Sequence, residues 1–131
     1  MQIHSEPAIP PVDTHFGVQL FQTHAAELAR RITKVHPPFA VVDVRAAAEF
    51  ARGHVPGALS ASPAAIADRL PGGIDTATEV FVVGHGSEDL DRRRAALALR
   101  AHGVRRVVEL TGGMADWNGL RLPVESGRPV A

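Results

Sequence analysis

The chain has 131 residues, with 14 basic and 14 acidic side chains and 45% hydrophobic residues. This length suits one domain with a substantial core, and the balanced charge argues against a nucleic-acid partner and against a membrane-surface partner. The absence of cysteine excludes disulfides, thiolate metal sites and every cysteine nucleophile.

The first residues of the chain are rich in proline and polar side chains. We therefore expect residues 1–19 to form an arm and residues 20–131 to form the domain. The N-terminus has no basic region followed by an apolar run, and no later stretch is long and apolar enough to span a bilayer. These patterns predict a cytoplasmic protein with no membrane partner.

The next part of the chain predicts a helix, a strand and a second helix. Residues 23–34 begin with Thr23 as the expected N-cap and carry an apolar stripe at helical spacing. That stripe consists of Ala26, Leu28, Ala29 and Ile32. The run FAVVDV, residues 39–44, is typical of a strand that is covered on both faces. The segment AAAEFARG then predicts a short helix that ends at Gly53.

The middle of the chain continues the alternation. HVPGALSA, residues 54–61, predicts a turn followed by an extended segment. Ser62 is the expected N-cap of the next helix, with Pro63 at its first position. The run EVFVV predicts a strand, and DRRRAALALRAHG predicts a helix that ends at Gly103. Strands and helices therefore alternate as far as Gly103.

The last part of the chain repeats the rhythm. VRRVVEL predicts a strand, and TGGMADWNG predicts a glycine turn into a short helix. Strands that alternate with helices form right-handed crossovers in a parallel sheet with helices on both faces. The predicted fold class is therefore α/β.

Two segments resemble the signatures of rhodanese-like domains. VVDVRAAAEFARGHVPGALSA, residues 41–61, is similar to the opening signature of that family. VVELTGGMADWNGLRLPV, residues 107–124, is similar to the closing signature, with its Gly-Gly turn, Trp-bearing helix and Leu-Pro-Val tail. The resemblance covers roughly residues 20–125 and implies a single rhodanese-like domain with a central five-stranded parallel sheet and helices on both faces.

The resemblance also implies where sulfur chemistry would occur. In sulfur-transferring members, a cysteine follows the central strand, and its thiolate takes a sulfane sulfur from thiosulfate or another donor. A cradle of backbone N–H groups at a helix N-terminus stabilises the persulfide. Counting forward from the strand places the cysteine position at His85, and counting back from Gly103 places it at Gly86 or later. Neither residue supplies a thiolate.

Most signature residues are interpreted as structural. These residues are Asp43, Glu49, His54, Pro56, Gly57, Gly112, Gly113 and Trp117. Asp43 and Arg45 follow a strand, where they are expected to tie the next loops by charge-assisted hydrogen bonds. Trp117 is interpreted as a core anchor. Arg45 is also a candidate anion-binding residue, together with Arg92 and Arg93.

The segment that corresponds to the family's active site is called loop 84–91 below. Its candidate residues are His85, Gly86, Ser87, Glu88, Asp89, Leu90 and Asp91. An imidazole acts as a general base or phosphoryl acceptor, and an activated carboxylate acts as a nucleophile. Capping of the helix by Ser87, Asp89 or Asp91 is the favoured interpretation. The protein's own carboxylate would then occupy the amides and repel an incoming anion, which we describe as a self-filled cradle.

The three arginines at the start of the helix have two interpretations. Arg92, Arg93 and Arg94 either form a solvated face paired with acids, which is favoured, or serve an anionic partner. None of the seven histidines pairs with another at the close helical spacing of a preformed metal site. We therefore predict neither a metal nor a cofactor.

Two classes of function follow. The favoured hypothesis is a rhodanese-like domain that has lost sulfurtransferase chemistry and acts as a binding or regulatory module, as a monomer or homodimer, toward another protein or a small anion. The alternative is an enzyme of altered chemistry that acts on a sulfur- or phosphate-containing anion at loop 84–91, with His85 or Asp89 as the working group. An engineered loss of the cysteine is disfavoured, because the length and charge of the loop differ too.

Overall fold

The computed structural model describes residues 11–15, 17–33 and 38–127. Six strands form one sheet in the order β1-β2-β6-β5-β3-β4. The strands are β1 Pro11–His15, β2 Val18–Thr23, β3 Phe39–Asp43, β4 Leu59–Ser60, β5 Glu79–Val83 and β6 Arg106–Leu110. The five strands from β2 to β4 along this order are parallel, and β1 is antiparallel to β2. The predicted five-stranded parallel sheet is therefore confirmed, with one added edge strand.

Five helices cover both faces of the sheet. They are α1 Ala25–Ile32, α2 Ala47–Arg52, α3 Pro63–Asp68, α4 Leu90–Ala101 and α5 Gly113–Gly119. Successive side chains of a strand point to opposite faces. In β5, Val80 and Val82 pack with α3 and α4, whereas Phe81 and Val83 pack with α1 and α5. Because both faces are buried, this strand is a continuous apolar run.

Several predicted helix ends are confirmed. The Ser62 hydroxyl accepts a hydrogen bond from the Ala65 amide at 3.1 Å, and Pro63 begins α3. Gly53 follows α2, and Gly103 follows the end of α4 with φ of +93°. Ser62 caps α3 and Gly103 ends α4 by the mechanisms that the sequence indicated, whereas Gly53 follows α2 in an extended conformation.

The start of α1 differs from the prediction. Thr23 is the last residue of β2 and not an N-cap, because its carbonyl accepts hydrogen bonds from the amide and hydroxyl of Thr111 at the end of β6. The helix begins at Ala25, and that residue takes the place on the buried stripe that was assigned to Ala26, which is exposed. The actual stripe has the i, i+3, i+4, i+7 spacing of one helix face.

The N-terminal hairpin of β1 and β2 was not predicted. Residues 11–15 and 18–19 of the expected arm are strand residues, while residues 1–10 lie outside the described residues. In the sequence, Pro11 indicates irregular structure. Proline is nevertheless tolerated in an edge strand, where its missing N–H does not interrupt a ladder of hydrogen bonds. β1 is such an edge strand.

Candidate functional site

Loop 84–91 joins the carboxyl end of β5 to the first residues of α4, and Asp89 organises it. The Asp89 carboxylate accepts hydrogen bonds from the amides of His85 at 2.7 Å, Asp91 at 2.9 Å and Arg92 at 3.2 Å. Asp89 is thus the N-cap of α4, one of the capping residues that the sequence predicted. Its negative charge lies at the positive end of the helix dipole.

Gly84 makes room for this carboxylate. A Cβ atom on Gly84 would lie 2.8 Å from Cγ of Asp89, and closer still to Oδ2. It would also lie 3.3 Å from Cβ of Arg92. Because real Cβ atoms essentially never approach this closely, the absence of a side chain at Gly84 lets Asp89 fold back under the loop.

The N-terminus of α5 closes the loop from the other side. The amide of Met114 donates to the Gly84 carbonyl and the amide of Ala115 donates to the His85 carbonyl, both at 2.9 Å. Gly113 permits this approach, since a Cβ there would lie 2.7 Å from the carbonyl carbon of His85 and its φ is +53°. The glycine turn of the closing signature therefore packs directly on loop 84–91.

Beneath the loop lies a buried cluster of charges. Glu109 of β6 is fully buried and accepts hydrogen bonds from Arg92 at 3.2 Å and from Arg93 at 3.0 Å. Arg92 also donates to the Gly86 carbonyl at 3.0 Å. The prediction of a solvated face is wrong for Arg92, which is buried, and holds for Arg94, which is exposed and pairs with Asp91. In the sequence, Glu109 lies within a strand pattern that is otherwise apolar, and no local feature indicated that its carboxylate is buried beneath the loop.

Arg45 takes the structural role that the sequence indicated. Its guanidinium contacts both carboxylate oxygens of Asp43 and donates to the Gly53 carbonyl at 2.7 Å. The Arg45 side chain is 8% exposed and that of Asp43 is 1% exposed. These charge-assisted bonds tie the β3–α2 connection to the end of α2. As candidate anion-binding residues, Arg45 and Arg92 thus have their charges paired inside the protein.

The structure brings together two residues that are far apart in sequence. Nε2 of His85 lies 3.2 Å from Oε1 of Glu49, which is on α2. The two side chains are 57% and 36% exposed. Glu49 was interpreted as structural and His85 as a loop candidate, and no local pattern predicted their contact. The pair presents a partly exposed imidazole at the rim of the loop.

The remaining loop residues face outward. Ser87 and Glu88 are exposed, and Leu90 is 69% exposed. A cavity of about 590 Å³ lies against the loop and is lined by residues 85–91 alone. The loop therefore offers its outer surface to solvent, while its amides and carbonyls bond to Asp89, to α5 and to Arg92 on the inner side.

The other signature residues hold the scaffold. Trp117 is buried and donates from its indole nitrogen to the Pro123 carbonyl at 2.8 Å, which confirms its role as an anchor. Gly57 has φ of +80° in the turn after Pro56, and its amide donates to a carboxylate oxygen of Glu125 at 2.8 Å. Gly112 has φ of +77° at the start of α5. Positive φ explains why glycine occupies these two turns.

Two carboxyl groups away from the loop have shifted acidity. Burial raises the pKa of Glu79, but hydrogen bonds from Arg31 and Arg106 outweigh it and hold that pKa below its ordinary value. A hydrogen bond from the amide of Ala77, together with one from the hydroxyl of Thr78, lowers the pKa of Asp75. Both groups lie near the start of β5, at the opposite end of that strand from loop 84–91.

The described residues contain no group of three or more His, Cys, Asp or Glu side chains that could hold a metal ion. None of the helices in the described ranges has the length and apolar character needed to cross a bilayer.

The sequence of the chain is similar to a known family. A profile of the rhodanese-like domain matches residues 24–120. The chain is also 34% identical over 105 residues to the HTH-type transcriptional regulator Rv0324 of Mycobacterium tuberculosis. That alignment covers 80% of this chain and 45% of the regulator, so the chain spans less than half of this relative's length.

Solved structures share the fold. The BH2092 protein from Bacillus halodurans superposes with a TM-score of 0.73 at 28% identity, over 80% of this chain and 76% of that chain. A thiosulfate sulfurtransferase from Pseudomonas aeruginosa superposes with a TM-score of 0.64 at 25% identity, over 82% of this chain and 19% of that chain. The match with the sulfurtransferase therefore concerns a small part of that protein.

Proposed function

The chain belongs to the rhodanese-like domain family, and because it contains no cysteine we propose that it transfers no sulfur and acts as a binding or regulatory module. The observation that carries the proposal is the Asp89 carboxylate bound to the amides of loop 84–91, in a chain that contains no cysteine. Sulfur transfer through a protein persulfide requires a thiolate nucleophile. This chain supplies none.

The carboxylate at the loop supports the same conclusion independently. Asp89 accepts three backbone hydrogen bonds at the place where an anionic substrate or persulfide would need amide donors. An anion that approached these amides would find their hydrogen bonds already made to Asp89, and the Asp89 carboxylate would repel it. Replacing the missing nucleophile alone would therefore leave an anion site that is already filled.

The similarity to Rv0324 supports a regulatory role. That relative is named a transcriptional regulator, and this chain matches less than half of it. A rhodanese-like domain without sulfur chemistry suits a module that binds rather than converts its ligand. A cytoplasmic location, and a partner that is another protein or a small anion, are parts of this proposal.

Sulfur transfer is tested by the formation of thiocyanate from thiosulfate and cyanide. We expect the purified protein to match the uncatalysed rate, and we expect its intact mass to show no persulfide after incubation with thiosulfate. A rate that rises in proportion to the protein concentration, in independent preparations, would reject the proposal.

A matched pair of variants tests the role of the carboxylate. Gly86→Cys adds a thiol at a position where the nearest atoms to a Cβ are the Gly112 carbonyl oxygen at 3.9 Å and Cβ of Ala115 at 4.0 Å, so the backbone accepts a Cβ there without a clash. We expect this variant to form little persulfide, and the double variant Gly86→Cys, Asp89→Ala to form more, because the amides are then free. Equal persulfide formation by the two variants would show that Asp89 does not block the site.

A second candidate function is an enzyme of altered chemistry that acts on an anionic ligand at loop 84–91. The contact between Glu49 and His85 favours it, because a carboxylate that orients an imidazole is typical of general bases. This candidate predicts that thiosulfate, sulfate or phosphate raises the midpoint of thermal unfolding in a saturable way, and that His85→Ala abolishes the effect. The absence of any such rise would reject it.

A further inference from the structure

A cavity of about 730 Å³ lies beside α3 and the edge strand β4. This volume falls within the range of about 300–1,000 Å³ that is typical of small-molecule sites. Apolar side chains such as Leu59, Ala65 and Leu70 form much of its wall, and among the described residues that line it Arg69 and Glu125 carry opposite charges. None of the lining residues belongs to loop 84–91, so the cavity is a separate feature of the molecule.

One part of the cavity wall places two hydrogen-bond acceptors side by side. Nδ1 of His54 lies 2.7 Å from the Phe50 carbonyl oxygen, and because a carbonyl only accepts, Nδ1 donates and Nε2 of the neutral ring is an acceptor. Nε2 lies 3.9 Å from Oε1 of Glu125, and an ionised carboxylate is likewise an acceptor. Two acceptors cannot bond to each other. An ammonium group, with three donors and a positive charge, complements both.

Backbone and ring contacts hold these two acceptors in place. The amide of each residue donates to the carbonyl of the other, from His54 to Glu125 at 2.8 Å and from Glu125 to His54 at 2.9 Å. The Glu125 carboxylate also accepts from the Gly57 amide at 2.8 Å. The His54 ring stacks on that of Phe50 with the centroids 3.6 Å apart. A ligand that binds here therefore meets groups that are already oriented, which lowers the entropic cost of binding.

Arg69 brings the opposite charge to the cavity from a different segment. It follows the last residue of α3 and is exposed. In the part of the chain that the structure describes, its guanidinium forms neither an ion pair nor a hydrogen bond, with Glu125 or with any other residue. The cavity thus carries a negative and a positive side chain that do not pair with each other, and apolar wall lies between the segments that bear them.

The two charges select against a ligand with only one. A simple carboxylic acid would be attracted by Arg69 and repelled by Glu125, and a simple amine would meet the reverse. A molecule with both charges is attracted by both residues.

We propose that this cavity binds a small bipolar molecule, with a primary ammonium group at one end, a carboxylate at the other and an apolar body between them. The ammonium donates to Glu125 and to Nε2 of His54, the carboxylate pairs with Arg69, and the apolar body lies against Leu59 and Leu70. The proposal rests on the cavity alone and does not depend on whether loop 84–91 is inactive. Sulfur transfer by the protein would leave this binding unchanged.

The test uses trans-4-(aminomethyl)cyclohexanecarboxylate as the probe, and amide chemical shifts in two-dimensional NMR report its binding. We expect saturable shifts at Gly57, Leu59 and Leu70 and none in residues 85–91. Cyclohexanecarboxylate lacks the ammonium group and cyclohexylmethylamine lacks the carboxylate. Each should bind at least about two- to fivefold more weakly than the probe, because each loses one exposed ion pair.

Two variants of the cavity should affect the two analogues in opposite ways. Arg69→Gln should weaken binding of the probe and of cyclohexanecarboxylate about two- to fivefold, and should not weaken binding of cyclohexylmethylamine. Glu125→Gln should weaken binding of the probe and of cyclohexylmethylamine by a similar factor, and should not weaken binding of cyclohexanecarboxylate. Glutamine keeps an oxygen that can accept from the Gly57 amide, so this variant retains the turn.

Two matched variants control for the general effect of charge. Arg30 and Glu27 form an exposed ion pair on α1, and that helix contributes no residue to the cavity wall. Arg30→Gln and Glu27→Gln change the net charge by the same amounts as the two cavity variants. Both controls should bind the probe like the unchanged protein.

Three results would overturn the proposal. The first is the absence of saturable shifts at the cavity with the probe. The second is an equal affinity of the probe and its two analogues, or an unchanged affinity of Arg69→Gln and Glu125→Gln for the probe, since the charges would then play no part. The third is a shift of the same amides with protein concentration in the absence of any probe, which would mean that a second copy of the chain occupies the cavity.

Discussion

The close fit between Gly84 and Asp89 predicts that two substitutions are strongly coupled. Asp89→Ala removes the N-cap of α4 and its hydrogen bonds to the loop amides. Gly84→Ala places a methyl group where the carboxylate now lies, 2.8 Å from its Cγ, and therefore displaces the same carboxylate. Each single substitution should thus remove one and the same interaction.

The expected magnitudes follow from the cap. Loss of an aspartate N-cap costs about 1–2 kcal/mol of the free energy of unfolding, and each single variant should lose about this amount. Gly84 does not have a positive φ, so alanine adds no backbone strain. In the Asp89→Ala background, the remaining close contact of the methyl group is Cβ of Arg92 at 3.3 Å, which needs only a small adjustment. The double variant should therefore lose about 1–2 kcal/mol in total.

Urea unfolding is a direct assay of this cycle. Trp117 is the one tryptophan of the chain and is 1% exposed, so its fluorescence reports the loss of the folded state. Gly72→Ala is the control, because a Cβ at Gly72 meets no atom within 4 Å, and it should change the free energy of unfolding by less than about 0.5 kcal/mol. If the loss of free energy of unfolding in the double variant equals the sum of the two single losses within about 0.5 kcal/mol, the two substitutions act independently. This result would refute the proposed close contact between Gly84 and Asp89.

Three further predictions concern other contacts. Glu109→Gln leaves the buried guanidinium of Arg92 without its carboxylate and should cost about 3–5 kcal/mol in urea unfolding, whereas Arg94→Gln should cost less than about 0.5 kcal/mol. The lowered pKa of Glu79 stabilises the fold above about pH 4.5, and this stability should be lost as pH falls through the folded pKa, with a shallower loss in Glu79→Gln. Gly113→Ala should cost about 2–4 kcal/mol, because φ is +53° and its Cβ would meet the loop backbone.

Each of these predictions has a clear contrary result. Similar costs for Glu109→Gln and Arg94→Gln would mean that burial does not distinguish the two ion pairs. Identical acid unfolding profiles for Glu79→Gln and the unchanged protein would remove the link between this carboxyl and stability at low pH. A Gly113→Ala variant as stable as the unchanged protein would show that α5 can move away from the loop at little cost.

The fold was largely predictable because its signals are local. Continuous apolar runs marked β3, β5 and β6, and Ser62 with Pro63 marked the start of α3. The first two strands escaped prediction, and the place of β2 in the sheet depends on a strand that is distant in sequence. β2 lies beside β6, with Phe21 opposite Val108. A short strand with proline and polar neighbours has no distinguishing pattern of its own.

The site was predictable only in part, for the same reason. Capping by Asp89 follows from its position before a helix, and the structure confirms it. The burial of Arg92 against Glu109 and the contact of His85 with Glu49 depend on how distant elements pack. The run of three arginines resembles a solvated helix face, because the buried acid that pairs with it lies on a strand and not on the same helix. The sequence therefore identified these side chains as charged, but it indicated neither their burial nor their partners.

Both edges of the sheet are poor templates for further strand pairing. One edge is β1, which begins with Pro11 and shifts register between Pro11 and Asp13, and the other is β4, which has two residues. A proline, an irregular register and a very short strand each interrupt the row of free N–H and C=O groups that allows sheets of different molecules to join. We therefore expect the domain to resist edge-to-edge aggregation when it is highly concentrated.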